Sequence, residues 1–296
     1  MEEEKNVVGF KSTREVVSEV LDEYKLMVER RSEHKGIVTG LSTGFYDIDC
    51  KTKGLQNGEL ILLVGRKLMG KTGLALSIVR NVVTRERVTA AIFSPSITNS
   101  RIIKRFLAIE MWDKKEIVLN GPKDSVELDL LNENAQKLVD MPVYIDDSAF
   151  ITIEDIREKC RELSLEGRLG LIVVDSLQFL SCERDESGLG MKEVVRELKE
   201  IAVDEDCPLL LISELLSDGE KDWFKRPELA SIDDSDYTKQ YADLIMLLYA
   251  EQFDREKSPE NREADVIIVK NRNGRTGKVK LTMEYDGFWF RNLVRD

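Results

Sequence analysis

Residues 65–72 read Gly65-Arg66-Lys67-Leu68-Met69-Gly70-Lys71-Thr72, a G-x-x-x-x-G-K-T loop. An unbroken apolar run, Leu60 to Val64, leads into it, and a helix-period pattern over residues 71–83 follows. The flanking strand and helix give so short a motif its meaning. Between them, loop amides and the helix N-terminus converge on phosphate. Lys71 adds a positive charge for the β- and γ-phosphates, and the Thr72 hydroxyl can ligate Mg²⁺. A nucleoside triphosphate is the ligand this pattern implies.

The remaining elements extend that unit. Apolar runs at 88–94, 143–145, 170–175, 208–213, 242–249, 264–270 and 278–283 read as strands. Helical patterns cover 101–111, 153–165 (with Thr152 as a cap) and 191–202, and residues 115–140 are charged and loosely helical. Strands alternating with helices predict an α/β fold with a mostly parallel sheet covered on both faces. The late strands, joined through Gly274-Arg275-Thr276-Gly277, predict an antiparallel extension. The segments 181–190 and 217–227 read as exposed loops.

An amphipathic helix is expected over residues 12–31, capped by Ser12 or Thr13. Its apolar positions are Val16, Val17, Val20, Leu21, Tyr24, Leu26 and Met27. Gly36 and Gly40 separate it from the nucleotide loop, so it either packs on its own domain or reaches to a neighbour. This divides the chain into a tail and helix, residues 1–36, and one large domain, residues 37–296.

Composition excludes several classes. No apolar run reaches the roughly 18 residues of a membrane span, and the acidic start is wrong for a secretory signal. Cys50, Cys160, Cys182 and Cys207 form no C-x-x-C pair, which speaks against a zinc site and fits a reducing cytoplasm. His34 is the sole histidine, so no Ser-His or Cys-His pair is available for catalysis. The net charge of −12 means that any nucleic-acid contact must be local.

A second acid must help hold magnesium, and Asp175 is the candidate. Leu171, Ile172, Val173 and Val174 precede it, which puts it at the C-terminal end of a strand, where parallel sheets collect ligands.

These motifs, together with residues 39–49, 54–60, 142–147, 170–178 and Lys270-Asn271-Arg272-Asn273-Gly274-Arg275-Thr276-Gly277, resemble the C-terminal motor domain of DnaB-type replicative helicases. The resemblance runs in order from about residue 12 to residue 292. It implies a RecA-like fold, ATP and Mg²⁺ as cofactors, hexameric rings with ATP between subunits, and translocation on single-stranded DNA. It makes the first helix a linker docking on the adjacent subunit. It gives Lys270 and Arg272 the role of reaching the neighbour's γ-phosphate; without it they read as surface charges at a strand end. The family's primase-recruiting N-terminal domain has no counterpart in this sequence, either because the sequence is a fragment of a longer protein or because the protein lacks that domain.

Three departures stand out. Where the family has a water-activating glutamate after the second strand, this chain has Ser96, which cannot act as a carboxylate base. Where the family has a γ-phosphate-sensing glutamine, it has Glu214. Either the base has moved to Glu214 or the site has drifted. The family's DNA-gripping loop becomes Ser231-Ile232-Asp233-Asp234-Ser235-Asp236, losing a cation and gaining two anions, which weakens a phosphate contact. Arg184, Lys192, Arg196 and Lys199 remain nearby, either on a solvated helix face or as a residual DNA grip. Two functions follow: an ATP-driven DNA-unwinding motor, or a hydrolysis-impaired relative that binds ATP and assembles with or regulates a helicase.

Overall fold

The structure, a computed structural model, describes residues 11–33, 38–167, 169–180, 189–215, 226–228, 237–250, 262–284 and 289–293. The chain divides into two compact units, Met1–Thr39 and Gly40–Asp296. The first contains helix α1, Thr13–Glu33. The Ser12 hydroxyl accepts from the Glu15 amide at 3.3 Å and the Glu15 carboxylate accepts from the Ser12 amide at 2.6 Å, so Ser12 is the cap. Val16, Val17, Val20, Leu21, Tyr24 and Val28 are exposed along it.

The larger unit is built on one nine-stranded sheet. Its strands are β1 (Leu60–Gly65), β2 (Thr89–Phe93), β3 (Val143–Asp146), β4 (Leu169–Asp175), β5 (Leu209–Glu214), β6 (Leu244–Ala250), β7 (Arg262–Asn271), β8 (Gly277–Glu284) and β9 (Trp289–Asn292). Their order across the sheet is β3-β2-β4-β5-β1-β6-β7-β8-β9. All pairings from β3 through β6 are parallel and those from β6 through β9 are antiparallel. The mostly parallel sheet with an antiparallel extension is therefore as the sequence predicts. The four-residue β9 is an addition, closing the far edge.

Every residue of β1, β4 and β6 is buried, which explains their continuous apolar runs. Alternate side chains enter two cores. Ile61 and Leu63 face helices α3 (Lys71–Arg85) and α4 (Asn99–Glu110), along with Ile48 from the short helix α2 (Tyr46–Thr52) and Phe45 just before it. Leu60, Leu62 and Val64 face the opposite core, which takes Ile156 and Cys160 from the later helix at Ile153–Glu166 and Leu198 from the helix at Leu189–Asp204. In the charged stretch after α4 the chain forms α5 (Lys115–Asn120) and α6 (Ser125–Val139), the latter capped by Asp124. The next helices are α7 (Ile153–Glu166), which Thr152 caps in a reciprocal box with Asp155, α8 (Leu189–Asp204) and α9 (Tyr237–Tyr241). Full burial of one such Leu, Ile or Val contributes about 1.5–3 kcal/mol, so the two-sided cover is what holds the sheet edge rigid under the loops it carries.

Segments 181–188 and 216–225 and residues 231–236, with His34, Cys182, Arg184 and the acidic loop, lie outside the described residues.

Candidate nucleotide site

Gly65 is the last residue of β1 and Lys71 the first of α3, so the loop spans the C-terminal edge of the sheet. The backbone turns through left-handed φ at Leu68 (+64°) and Gly70 (+85°). Gly70 does this without the steric cost a Cβ would impose. A Cβ at Gly65 would lie 3.0 Å from the Leu248 carbonyl, so glycine relieves crowding at the strand end. Met69 and Arg66 are buried, while Lys67 and Leu68 are exposed.

The Lys71 ammonium donates to the Arg66 carbonyl at 2.8 Å. Burial pulls its pKa below the ordinary lysine value, opposed by the nearby Glu214 and Asp175 carboxylates. Thr72 Oγ1 donates to Asp175 Oδ2 at 2.6 Å. Asp175 ends β4 and is 6% exposed. Burial raises its pKa against the Thr72 hydrogen bond and the charges of Arg105 and Lys71. Lys71 and Thr72 thus meet Asp175, distant in sequence, at one sheet edge. Among the described residues no three His, Cys, Asp or Glu side chains cluster for a metal. One hydroxyl and one carboxylate in contact suit Mg²⁺, which keeps several waters and takes its remaining ligands from phosphate.

Glu214 ends β5 in register with Gly65, and its carboxylate lies 3.8 Å from Lys67 Nζ. The side chain is 22% exposed. Gln178 donates to Ser213 Oγ at 3.0 Å, tying the segment after β4 to β5. Ser96, after β2, is exposed. A carboxylate therefore stands beside the loop at position 214 and a hydroxyl at position 96.

Lys270 and Arg272 are elsewhere. Arg272 Nη1 lies 3.0 Å from Asp243 Oδ1, and Asp243 Oδ2 accepts from the Leu60 amide at 2.9 Å. The guanidinium thus sits at the start of β1. At about 3.3 Å per residue, the strand puts it roughly 17 Å from the loop on its own chain. Lys270 Nζ donates to the Lys239 carbonyl at 2.8 Å, and burial followed by the Arg272 charge lowers its pKa.

Three further residues matter. Asp243 is buried and also accepts from Lys199 Nζ at 2.6 Å, which in turn reaches the Gly58 carbonyl at 2.6 Å. Lys199 is thus an internal ion-pair partner rather than part of a solvated face; Arg196 does stay on one, beside Glu200. Arg105 bears on Asp175 from α4. Its signal in the sequence is a cation between Ile102 and Phe106 on an otherwise apolar helix face. Cys160 and Cys207 are buried; burial pushes both thiols up, Cys207 to about 12, so neither is a nucleophile at neutral pH.

Comparison with known proteins gives the lineage. The family model of the DnaB-like helicase C-terminal domain matches residues 40–292. The chain is 32% identical over 295 residues to the replicative DNA helicase DnaC of Bacillus subtilis, covering 98% of this chain and 64% of that one. It is 31% identical over 290 residues to the replicative DNA helicase DnaB of Geobacillus stearothermophilus, covering 97% and 63% respectively. The chain thus spans less than two thirds of the length of these relatives. Among solved structures, the ATPase domain of G40P superposes with a TM-score of 0.83 at 25% identity, covering 96% of this chain and all of that one. A DnaB-like replicative helicase described with its primase interactions gives 0.80 at 25% identity, covering 96% and 68%. With the loop, the acid at the end of β4 and the sheet order in place, the chain belongs to the DnaB-like helicase C-terminal domain family.

Proposed function

We propose that this chain is an ATP-binding motor domain that works in DNA replication as a ring of like subunits, with each nucleotide held between two copies. Lys71 and the loop amides take the phosphates, and Thr72 with Asp175 takes Mg²⁺. Lys270 and Arg272 act on the nucleotide of the adjacent copy, where an arginine offsets charge developing on the γ-phosphate. The observation that carries this reading is the separation of the two groups. The phosphate loop is at the end of β1, whereas Arg272 is fixed at its start through Asp243. A cation at the opposite end of the strand from its own phosphate loop reaches a nucleotide across a head-to-tail contact, the type that builds rings. Bound Mg²⁺ would supply Lewis-acid charge at the phosphates. This chain's own residues position the nucleotide and bring cations to it.

A second reading rests on Ser96 and Glu214. With Ser96 exposed and Glu214 beside Lys67, the domain binds ATP, assembles with copies or a related helicase, and turns over slowly or not at all. Glu214 as a relocated base and Glu214 as drift separate on one variant: unchanged turnover in Glu214→Gln removes the relocation.

The test of the main reading is complementation. Lys71→Ala lacks a working loop and Arg272→Ala lacks the reaching cation. Mixed, they form some interfaces with both parts intact, so ATP turnover of the mixture exceeds that of either alone. Single-stranded DNA then stimulates the wild type. Turnover in Arg272→Ala equal to wild type refutes the trans role; tight ATP binding without DNA-stimulated turnover selects the second reading.

A further inference from the structure

A concavity of about 590 Å³ lies between α2 and the start of β8, lined by Asp47, Cys50, Lys51, Arg275, Lys278, Val279, Lys280 and Leu293. Four of these residues are cationic and one is anionic, in a chain whose net charge is −12. Such a reversal of sign in a cavity concentrates positive potential and attracts anions. Lys278 already has Asp265 at 3.6 Å, and Lys280 pairs with Glu263. Asp47 stands on the same wall, one helical turn before Lys51, and offsets one further charge, so the remaining net positive charge is carried by Lys51 and Arg275 together. A Cβ at Gly277 would lie 2.9 Å from Lys51 Nζ, which places that ammonium over the first residue of β8, beside Lys278.

The cavity wall is held by main-chain contacts that do not consume these charges. The Arg275 amide donates to the Lys51 carbonyl at 3.2 Å. The Asn271 side chain donates to the carbonyls of Lys51 and Arg275, each at 3.1 Å. The Lys51 carbonyl, at the end of α2, thus anchors the whole β7–β8 turn, and the side chains of Lys51 and Arg275 are left to face a ligand. The volume is within the range of small-molecule sites, roughly 300–1,000 Å³.

We infer that this cavity is a second phosphate-binding site, separate from the loop at 65–72, taking a phosphate-bearing ligand on Lys51 and Arg275 with support from Lys278. A phosphate bridging Lys51 on α2 and Arg275 on the turn cross-links the two. Arg272 lies in the same turn, so occupancy of the cavity stiffens the segment that carries it. The phosphate comes either from a free di- or triphosphate or from the backbone of a nucleic-acid strand.

The experiment uses the full chain with Lys71→Ala, so that the loop does not contribute, titrated calorimetrically with inorganic pyrophosphate and, separately, with a twenty-nucleotide oligothymidylate. At least one probe binds with one site per chain, and Lys51→Gln/Arg275→Gln weakens that binding at least tenfold, while Lys51→Arg/Arg275→Lys restores it. Pyrophosphate alone identifies a free phosphate compound. Oligonucleotide binding that falls steeply with salt identifies a strand backbone. Arg275→Gln alone, at an exposed position, gives the same direction should the double variant misfold. Mg²⁺-ATP binding to Lys51→Gln/Arg275→Gln with Lys71 intact reports the loop separately. The inference is overturned if neither probe binds the Lys71→Ala chain, or if binding is unchanged when Lys51 and Arg275 are neutralised.

Discussion

Replacing Asp243 with alanine tests how the Arg272 end of the sheet is held. Asp243 is 5% exposed and gathers three donors: the Leu60 amide at 2.9 Å, Lys199 Nζ at 2.6 Å and Arg272 Nη1 at 3.0 Å. Leaving the buried Leu60 amide without its acceptor costs about 1–3 kcal/mol. Lys199, with its side chain 25% exposed, keeps the Gly58 carbonyl, so its loss is about 1 kcal/mol. Arg272, 55% exposed, is screened by water and contributes less than about 1 kcal/mol. Asp243→Ala is therefore destabilised by about 2–5 kcal/mol in urea unfolding at pH 7. Asp243→Asn, which keeps an oxygen for Leu60, loses about half of that. Lys199→Ala and the double variant close a cycle whose coupling is at least about 0.5 kcal/mol. An Asp243→Ala stability within about 0.5 kcal/mol of wild type, or zero coupling to Lys199, refutes the account.

Thr72→Ala removes a hydrogen bond to the buried Asp175 carboxylate. It costs about 1–3 kcal/mol of stability and abolishes the Mg²⁺-dependent part of nucleotide affinity, as read with a fluorescent ATP analogue with and without the metal. Gly274→Ala places a Cβ 2.2 Å from the Lys51 carbonyl, so the β7–β8 turn must move. Thermal unfolding drops by about 1–3 kcal/mol, and turnover falls while nucleotide binding at the loop persists. Burial raises the pKa of Asp49 despite its hydrogen bonds from Thr43 and Ser42. Its contribution is therefore fully present below the ordinary aspartate range and lost as pH rises through the higher folded value. The stability of wild type relative to Asp49→Asn accordingly improves as pH falls through that value; a flat difference across the window contradicts the sign.

The phosphate loop was legible because its chemistry is local: a strand, two glycines, Lys71 and Thr72 follow one another along the chain. Asp175 was legible because a fully buried strand writes an unbroken apolar run that the acid ends. Helix α2 leaves little trace in the sequence because Tyr46–Thr52 is only seven residues long and Phe45, before it, provides no side-chain cap. β9 escaped because four edge residues, two of them exposed, give no periodic pattern. The internal role of Lys199 is not legible because its partner is 44 residues away, and no spacing rule joins a helix position to the start of a distant strand. Arg105 is similar: its neighbour Asp175 ends a distant strand, and only the packing of α4 brings the two charges together.

The placement of Arg272 at the start of β1 has a consequence for measurement. On the proposed reading, a solitary copy holds half of each of two different catalytic centres and the whole of neither. Specific activity then depends on how many copies meet, and dilution lowers turnover per molecule long before it lowers nucleotide binding. Rates taken at a single protein concentration would confuse a chemically impaired enzyme with an intact one that is merely dispersed. The serine at position 96 can be judged only after that distinction is made.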